Sequence, residues 1–169
     1  MVLQAARELG VNVVPEGGMN SAMDLSMVID GHTTIEHNIP ILLEEDCITM
    51  WSRSSTAYTP TLIVSYGDLW GEIWGYQNEN AWEEPLVQLY SPQASVQAVS
   101  MRRTGADDRD YYHMEVSRVV KAMADAGVNV QLGAHGQQQG LGYFWEMTFF
   151  NQGRDRKWEM RAKLLKTIS

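Results

Sequence analysis

The sequence predicts an α/β fold built on a few parallel strands. Short apolar runs rich in β-branched residues alternate with segments of helical periodicity, and glycine follows two of those segments where a helix should end. The chain has 169 residues, of which 44% are hydrophobic and 20% are charged. That size and composition suit one globular domain with a substantial core.

Each predicted element follows from its local pattern. The predicted strands are the apolar runs at 11–14, 33–36, 58–65 and 128–132. The predicted helices lie at 3–9, 20–29, 42–54 and 108–126. The last helix has the clearest pattern, an apolar face made by Tyr112, Val116, Val119, Val120 and Met123. We expect that face to pack against the core, and Gly127 to end the helix.

A short motif occurs twice in the chain. Gly10-Val-Asn-Val13 recurs as Gly127-Val-Asn-Val130, and in both places it follows a helical segment and precedes a glycine-bearing loop. The matching contexts indicate two copies of one αβ unit.

Residues 66–106 form a long insertion between the third predicted strand and the last helix, and a structureless loop of this length is unusual in a compact domain and often functional. The proposed substrate-binding residues are four of its aromatic side chains, Tyr66, Trp70, Trp74 and Trp82. These rings are expected to line a pocket or to stack on sugars or proline rings. The alternative is that they pack the insertion against the scaffold or cover a partner surface.

The overall charge excludes some classes of function. The net charge is −8 and the isoelectric point is about 4.9, so the chain should repel a nucleic-acid backbone. No apolar run is long enough to span a membrane. The single cysteine, Cys47, has no partner for an internal disulfide. Residues 1–10 lack the pattern of a secretion signal, which leaves the compartment open.

Polar candidates for chemistry follow the predicted strands. Glu16 comes after the first strand, His37 after the second and His135 after the fourth. In barrels of parallel strands, the loops at the C-terminal ends of the strands converge and carry the active site. We therefore expect these three side chains to meet at one site.

The residue types at these positions suit metal binding or proton transfer. His37 and His135 are the candidate metal ligands, because a neutral imidazole binds divalent ions. His135 and Glu16 are the candidate catalytic residues, and each could act as a general base or as a ligand. The alternatives are a hydrogen-bonded structural role for each histidine and a turn role for Glu16, while His32 and His113 are expected to be structural. The sequence has no phosphate loop, dinucleotide glycine fingerprint or Gly-x-Ser-x-Gly turn.

Several short motifs, taken together and in order, resemble the amidohydrolase superfamily, and the nearest group is its large bacterial members with an N-terminal β-propeller. The motifs are Glu16-Gly-Gly-Met19, Asp30-Gly-His-Thr-Thr-Ile-Glu-His37, Tyr58-Thr-Pro-Thr-Leu62, Ser65-Tyr-Gly67, Leu69-Trp-Gly-Glu72, Arg102-Arg-Thr104 and Leu132-Gly-Ala-His-Gly-Gln137. The resemblance implies a (β/α)8 TIM barrel that holds one or two metals, usually zinc.

Within that family, the chain would correspond to strands 5 to 8, a partial TIM barrel over residues 1–150 followed by a basic helix over 151–169. His37 matches the metal-binding histidine after strand 6, and His135 stands where the family has its strand 8 aspartate. Val14 stands where the strand 5 histidine is usual, and the ligands of strands 1 and 4 have no counterpart here. Because a half barrel has open edges, we expect a homo-oligomer, with a symmetric dimer completing the barrel.

Two functions from different classes follow from the sequence. The first is an amidohydrolase-like, metal-dependent hydrolase of amide or related C–N bonds, which uses zinc or another divalent metal on a small-molecule or peptide substrate. The second is a catalytically incomplete fragment that binds sugars or peptides through Trp70, Trp74 and Trp82.

Overall fold

The computed structural model describes residues 1–65, 69–100, 105–135 and 141–152. Within these residues the α-helices are α1 (Val2–Leu9), α2 (Ser21–Asp30), α3 (Glu45–Ser52), α4 (Gly71–Asn78), α5 (Pro85–Tyr90), α6 (Gln93–Ser100), α7 (His113–Asp125) and α8 (142–152). The strands are β1 (Thr34–Glu36) and β2 (Ala57–Thr59). Three 3-10 turns lie at Leu62–Val64, Ala81–Glu83 and Asp108–Asp110. The part of the chain described is therefore mainly helical.

The predicted α/β fold with a four-stranded partial TIM barrel is wrong. The described residues contain one parallel sheet of two strands, β1 and β2. Its register pairs Thr34 with Ala57, Ile35 with Tyr58 and Glu36 with Thr59. The segments on either side of the sheet make one bridge each, Glu16 with Glu36 and Val130 with Tyr58.

The two predicted outer strands, 11–14 and 128–132, do not form, although both segments lie beside the sheet. On one side the Thr33 N–H donates to Val13 O at 2.9 Å, but the Val13 N–H donates to the Thr33 hydroxyl instead of continuing a ladder. Pro15, which follows, has no N–H to donate. On the other side, pairing stops after the single bridge at Val130.

The two Gly-Val-Asn-Val motifs begin these flanking segments. Gly10 and Gly127 both have a positive φ, 66° and 96°. Gly10 caps the end of α1, and Gly127 comes directly after Ala126, which caps the end of α7. The first motif leads toward the β1 side of the sheet, where Val13 O accepts from Thr33. The second reaches β2, where Asn129 O accepts from the Tyr58 N–H at 2.9 Å. The repeated sequence therefore occupies equivalent helix-to-sheet connections on the two sides.

The third predicted strand, 58–65, is divided by a turn. β2 ends at Thr59 because Pro60 cannot donate to a ladder, and Thr61 redirects the chain with a φ of 49°. Leu62–Val64 then forms a 3-10 turn whose three side chains are buried.

The predicted helices at 3–9, 20–29, 42–54 and 108–126 are confirmed as α1, α2, α3 and α7, with shorter bounds for the last two. Asn20 caps the start of α2, where its side chain accepts from the Met23 N–H, and Gly31 caps its end with a φ of 83°. On α7, Val116, Val120 and Met123 are buried, as the apolar face predicts.

The predicted insertion at 66–106 is mainly helical where the structure describes it. Residues 69–100 hold α4, α5, α6 and a 3-10 turn. α4 packs closely on its neighbours: a Cβ on Gly71 would lie 2.5 Å from Leu62 O, and one on Gly75 would lie 3.0 Å from the ring of Trp145. Glycine at both positions permits this approach. The insertion is thus part of the helical fold.

The core lies between the sheet and α3, α4, α7 and α8. Its largest fully buried side chains include Trp51, Tyr58 and Phe149. The Trp51 and Tyr58 rings lie 4.9 Å apart, and the Trp51 indole N–H donates to Thr56 O at 2.9 Å. None of the helices described has the length and apolar character needed to cross a membrane.

Candidate functional site

His37 is the first residue after β1 and is held by the end of β2. Its N–H donates to Thr59 O at 2.8 Å. Its backbone has a φ of 68°, a left-handed conformation that is uncommon outside glycine. Only 6% of the residue is exposed. The sheet therefore fixes this imidazole in a buried position at the C-terminal edge of the strands.

His135 lies beside His37, as the sequence predicts. The two ring centroids are 5.5 Å apart and the ring planes meet at 63°, an edge-on arrangement. His135 itself is exposed. The pair thus combines one imidazole anchored in the protein with one that faces solvent.

A close contact positions the segment that carries His135. A Cβ placed on Gly133 would lie 2.1 Å from Thr61 Oγ1 and 3.0 Å from Thr61 Cβ. Glycine is therefore needed for this segment to approach the turn after β2. Ala134, the next residue, packs near Gly142 at the start of α8.

Glu16 reaches the same edge from the other side of the sheet. Its backbone forms an isolated parallel β-bridge with Glu36, and the neighbouring Gly17 N–H donates to Glu36 O at 2.7 Å. The Gly18 N–H donates to Asp24 Oδ1 on α2 at 3.1 Å. These bonds hold the Glu16 loop at the end of β1, so all three residues predicted to form the site are brought together.

Electrostatics link the members of this group. Burial has the largest effect on His37 and lowers its pKa. The charges of Glu16 and Glu36 raise this pKa, and His135 lowers it. The net pKa is below the ordinary value of 6.5. His37 is therefore neutral at neutral pH, the state in which an imidazole can bind a metal or accept a proton.

Glu36 is a member of the site that the sequence reading missed. Its negative charge raises the pKa of the His37 imidazole. The Thr34 and Thr59 hydroxyls donate to Glu36 Oε1 at 3.0 and 3.1 Å. The next residue, His37, has a positive φ, a backbone conformation that the sequence does not predict.

Backbone strain is concentrated at this edge of the sheet. Among the described residues, His37 and Thr61 are the two non-glycine residues with a positive φ. Each lies just beyond the end of a strand. Such conformations cost about 1–3 kcal/mol and often occur at functional sites. For Thr61 the cost is greater than for most residues because its side chain is β-branched.

The donor set fits a metal only in part. His37 and His135 supply two imidazoles, but within residues 1–65, 69–100, 105–135 and 141–152 no three His, Cys, Asp or Glu side chains are grouped closely enough to hold an ion. Glu16 is near enough to influence His37 electrostatically without completing such a group. Among the residues that the structure describes, the arrangement therefore supplies two ligands.

The four predicted aromatic residues do not all have the same environment. Tyr66 lies outside the described residues. Trp70 precedes α4 and is 39% exposed. The Trp74 indole N–H donates to Asp108 at 2.8 Å, and its ring packs edge-on against His113, which is buried as expected of a structural histidine. Trp82 lines a cavity of about 450 Å³.

Glu146 is a buried carboxylate that the sequence reading did not identify. It lies on α8, where the Leu62 and Ile63 N–H groups donate to Oε1 and Oε2 at 2.8 and 3.1 Å. Burial raises its pKa to about 8, and the two backbone hydrogen bonds oppose that shift. The carboxylate thus fixes the turn that follows β2. Its position in an apolar stretch of α8, next to Trp145, was the available signal.

No protein-family model, curated protein or solved structure matches this chain. The resemblance to the amidohydrolases therefore stays a prediction from short motifs.

Proposed function

We propose that the chain is a metal-dependent hydrolase of amide or related C–N bonds, with its chemical centre at Glu16, His37 and His135. The observation that carries the proposal is the edge-on pairing of the buried His37 with the exposed His135, under the influence of Glu16. Three residues from distant parts of the chain are brought to one strained edge of the sheet.

Each residue has a role suited to its environment. His37, held neutral by burial, and His135 would bind zinc or another divalent ion, which when bound lowers the pKa of water and polarises a carbonyl. If His135 were not bound to the metal, it could instead pass a proton to the departing nitrogen. Glu16 can accept a proton from the attacking water. This division leaves His37 as the anchored member of the group.

Because the described residues supply two imidazole ligands, we propose that the working site contains two copies of the chain. The segments beside the sheet expose apolar side chains that a second copy can cover, including Val11, Val14 and Leu132 at 58%, 54% and 42%. A symmetric dimer would bring two copies of each site residue together. Light scattering should then give twice the chain mass, and a monodisperse monomer would argue against the dimer.

Activity measurements test the hydrolase proposal. A panel of amide and ester substrates should be assayed with zinc, manganese or no added metal. We expect turnover that falls at least about a hundredfold in His37→Gln and His135→Gln, as removal of a catalytic group does. His32→Gln is the matched control, because the His32 ring contacts Met27 O rather than the site. Equal turnover in all three variants would overturn the proposal.

A binding function for the aromatic insertion is a second candidate. The cavity beside Trp82 is lined by amide and hydroxyl side chains, among them Gln88, Ser91, Gln93 and Gln97. An indole face with several hydrogen-bonding groups suits a sugar or a peptide backbone. Trp70 and Trp74, named with Trp82 in the sequence prediction, are not among the residues lining that cavity.

Calorimetric titration with oligosaccharides and Pro-rich peptides tests this candidate. Saturable binding that is lost in Trp82→Ala and retained in Trp70→Ala would support it. Binding unaffected by Trp82→Ala would exclude the cavity as the site.

A further inference from the structure

A second cavity lies between α5 and α8, and it shares no described lining residue with the Glu16–His37–His135 site. Its volume is about 650 Å³, within the range of small-molecule sites. Tyr90 of α5 and Phe144 of α8 line it and are 73% and 64% exposed. Trp145 also lines it but is almost fully buried. The cavity is therefore an open aromatic recess with a fixed indole.

The indole is held in place from two directions. Its ring meets Tyr76 edge-on with centroids 4.8 Å apart, and its N–H donates to Glu79 Oε2 at 2.6 Å. The Gly75 backbone approaches the same ring so closely that a Cβ there would lie 3.0 Å from it. The recess is thus partly preorganised before any ligand enters.

The charge of the cavity is one-sided. Glu79 and Glu84 line it, while no Lys or Arg of residues 1–65, 69–100, 105–135 or 141–152 does so. Both glutamates are exposed, so their charge is available to a ligand. Aromatic rings attract cations through their π faces, and carboxylates attract them directly. Both features favour a cation, while the apolar side chains favour one with a hydrocarbon body.

We propose that this cavity binds a hydrophobic organic cation of the arylalkylammonium class, with its nitrogen near Glu79 and Glu84 and its apolar part against Tyr90, Phe144 and Trp145. The site is independent of the proposed hydrolase centre.

A matched pair of ligands tests the proposal. 2-Phenylethylammonium and 2-phenylethanol have nearly the same shape, but only the first carries a charge. Calorimetric titration should show the cation binding at least about fivefold more tightly than the alcohol. The indole N–H signal of Trp145 in an NMR spectrum should move during the titration. Equal affinities, or no saturation up to the order of 10 mM cation, would overturn the proposal.

Two pairs of variants test the residues. Glu84→Gln should weaken the cation at least about threefold and leave the alcohol unchanged, whereas the neighbouring exposed Glu83→Gln should alter neither. Phe144→Ala should weaken the cation, and Tyr143→Ala, exposed on the same helix but absent from the lining, should not. An effect of Glu83→Gln or Tyr143→Ala as large as that of its partner variant would contradict the assignment.

Discussion

His37 lies edge-on to His135, with ring centroids 5.5 Å apart, although one follows β1 and the other lies beyond α7. The contact depends on two unusual backbone features, the positive φ of His37 and the close approach of Gly133 to Thr61. Both lie at the same edge of a very small sheet. The two imidazoles therefore meet where the backbone is strained and closely packed.

The pKa of His37 should respond in opposite directions to changes in its two neighbours. Glu16→Gln removes a negative charge that raises this pKa, so the pKa should fall further. His135→Gln removes a group that lowers it, so the pKa should rise. NMR titration of the imidazole signals measures both shifts. If the His37 pKa shifts in the same direction in both variants, or does not shift, the opposite effects of Glu16 and His135 described here are wrong.

Stability should follow the same pKa. Because the folded pKa of His37 lies below 6.5, the unfolded chain binds the proton more readily. The contribution of His37 is thus fully present above pH 6.5 and is lost as the pH falls toward the folded pKa. Chemical unfolding across this range should show a weaker pH dependence in His37→Gln than in His32→Gln.

Part of the fold and of the site could be predicted from the sequence. The helical face at Val116, Val120 and Met123 follows from 3.6-residue spacing, and the meeting of Glu16, His37 and His135 follows from their places after apolar runs. The sequence predicts too many strands, because an apolar run does not show whether neighbouring backbone groups are placed to form hydrogen bonds. At 58–65 the decisive residues were Pro60 and Thr61, which end β2 and turn the chain.

The helical insertion was missed for a different reason. Its aromatic residues were predicted to line a pocket or to pack on the scaffold, and Gly71 and Gly75 allow α4 to pack against Leu62 and Trp145. Close helix packing of this kind depends on tertiary neighbours that the sequence does not name.

Gly133→Ala should disrupt the approach of the His135 segment. The new Cβ would collide with Thr61, a buried β-branched residue, so we expect a loss of about 1–3 kcal/mol in unfolding free energy. Gly18→Ala is the matched control, because a Cβ there meets nothing within 4 Å. Denaturant unfolding measures both changes. A loss no larger in Gly133→Ala than in Gly18→Ala would contradict the packing described.

Glu146→Ala should destabilise the turn after β2. The alanine removes the acceptor oxygens of the buried Leu62 and Ile63 N–H groups, so about 1–3 kcal/mol should be lost. Glu115→Gln, which removes only a partly exposed ion pair with Arg118, should cost under about 1 kcal/mol. Urea unfolding at one pH compares the two variants, and similar losses would argue against the buried carboxylate.

The pH dependence provides a separate test of Glu146. Its folded pKa is raised from 4.5 to about 8, so the folded chain holds this proton more tightly than the unfolded chain. Stability from this group is greatest below pH 4.5 and declines as the pH rises toward 8. Glu146→Gln should flatten that decline. An unchanged slope would mean that the carboxylate ionises normally.

Asp24 should matter for the position of Glu16. Its Oδ1 accepts from the Gly18 N–H, and the side chain is fully buried. Asp24→Ala should lower the free energy of unfolding by about 1–3 kcal/mol. It should also loosen the loop that holds Glu16, whose charge raises the pKa of His37, so that pKa should fall. Asp24→Asn keeps an acceptor oxygen and should lose less. NMR titration measures the pKa of His37 in both variants. A pKa identical to that of the unchanged chain would show that Asp24 does not position Glu16.

Zinc content measured by plasma mass spectrometry, referred to chain concentration after zinc has been offered, tests the central claim most directly. The account predicts about one zinc for each chain or each pair of chains, bound by an imidazole pair of the kind found in zinc hydrolases. His37→Gln and His135→Gln should each remove it, and His32→Gln should retain it. Absence of bound zinc, or zinc retained in both site variants, would contradict a metal centre at His37 and His135.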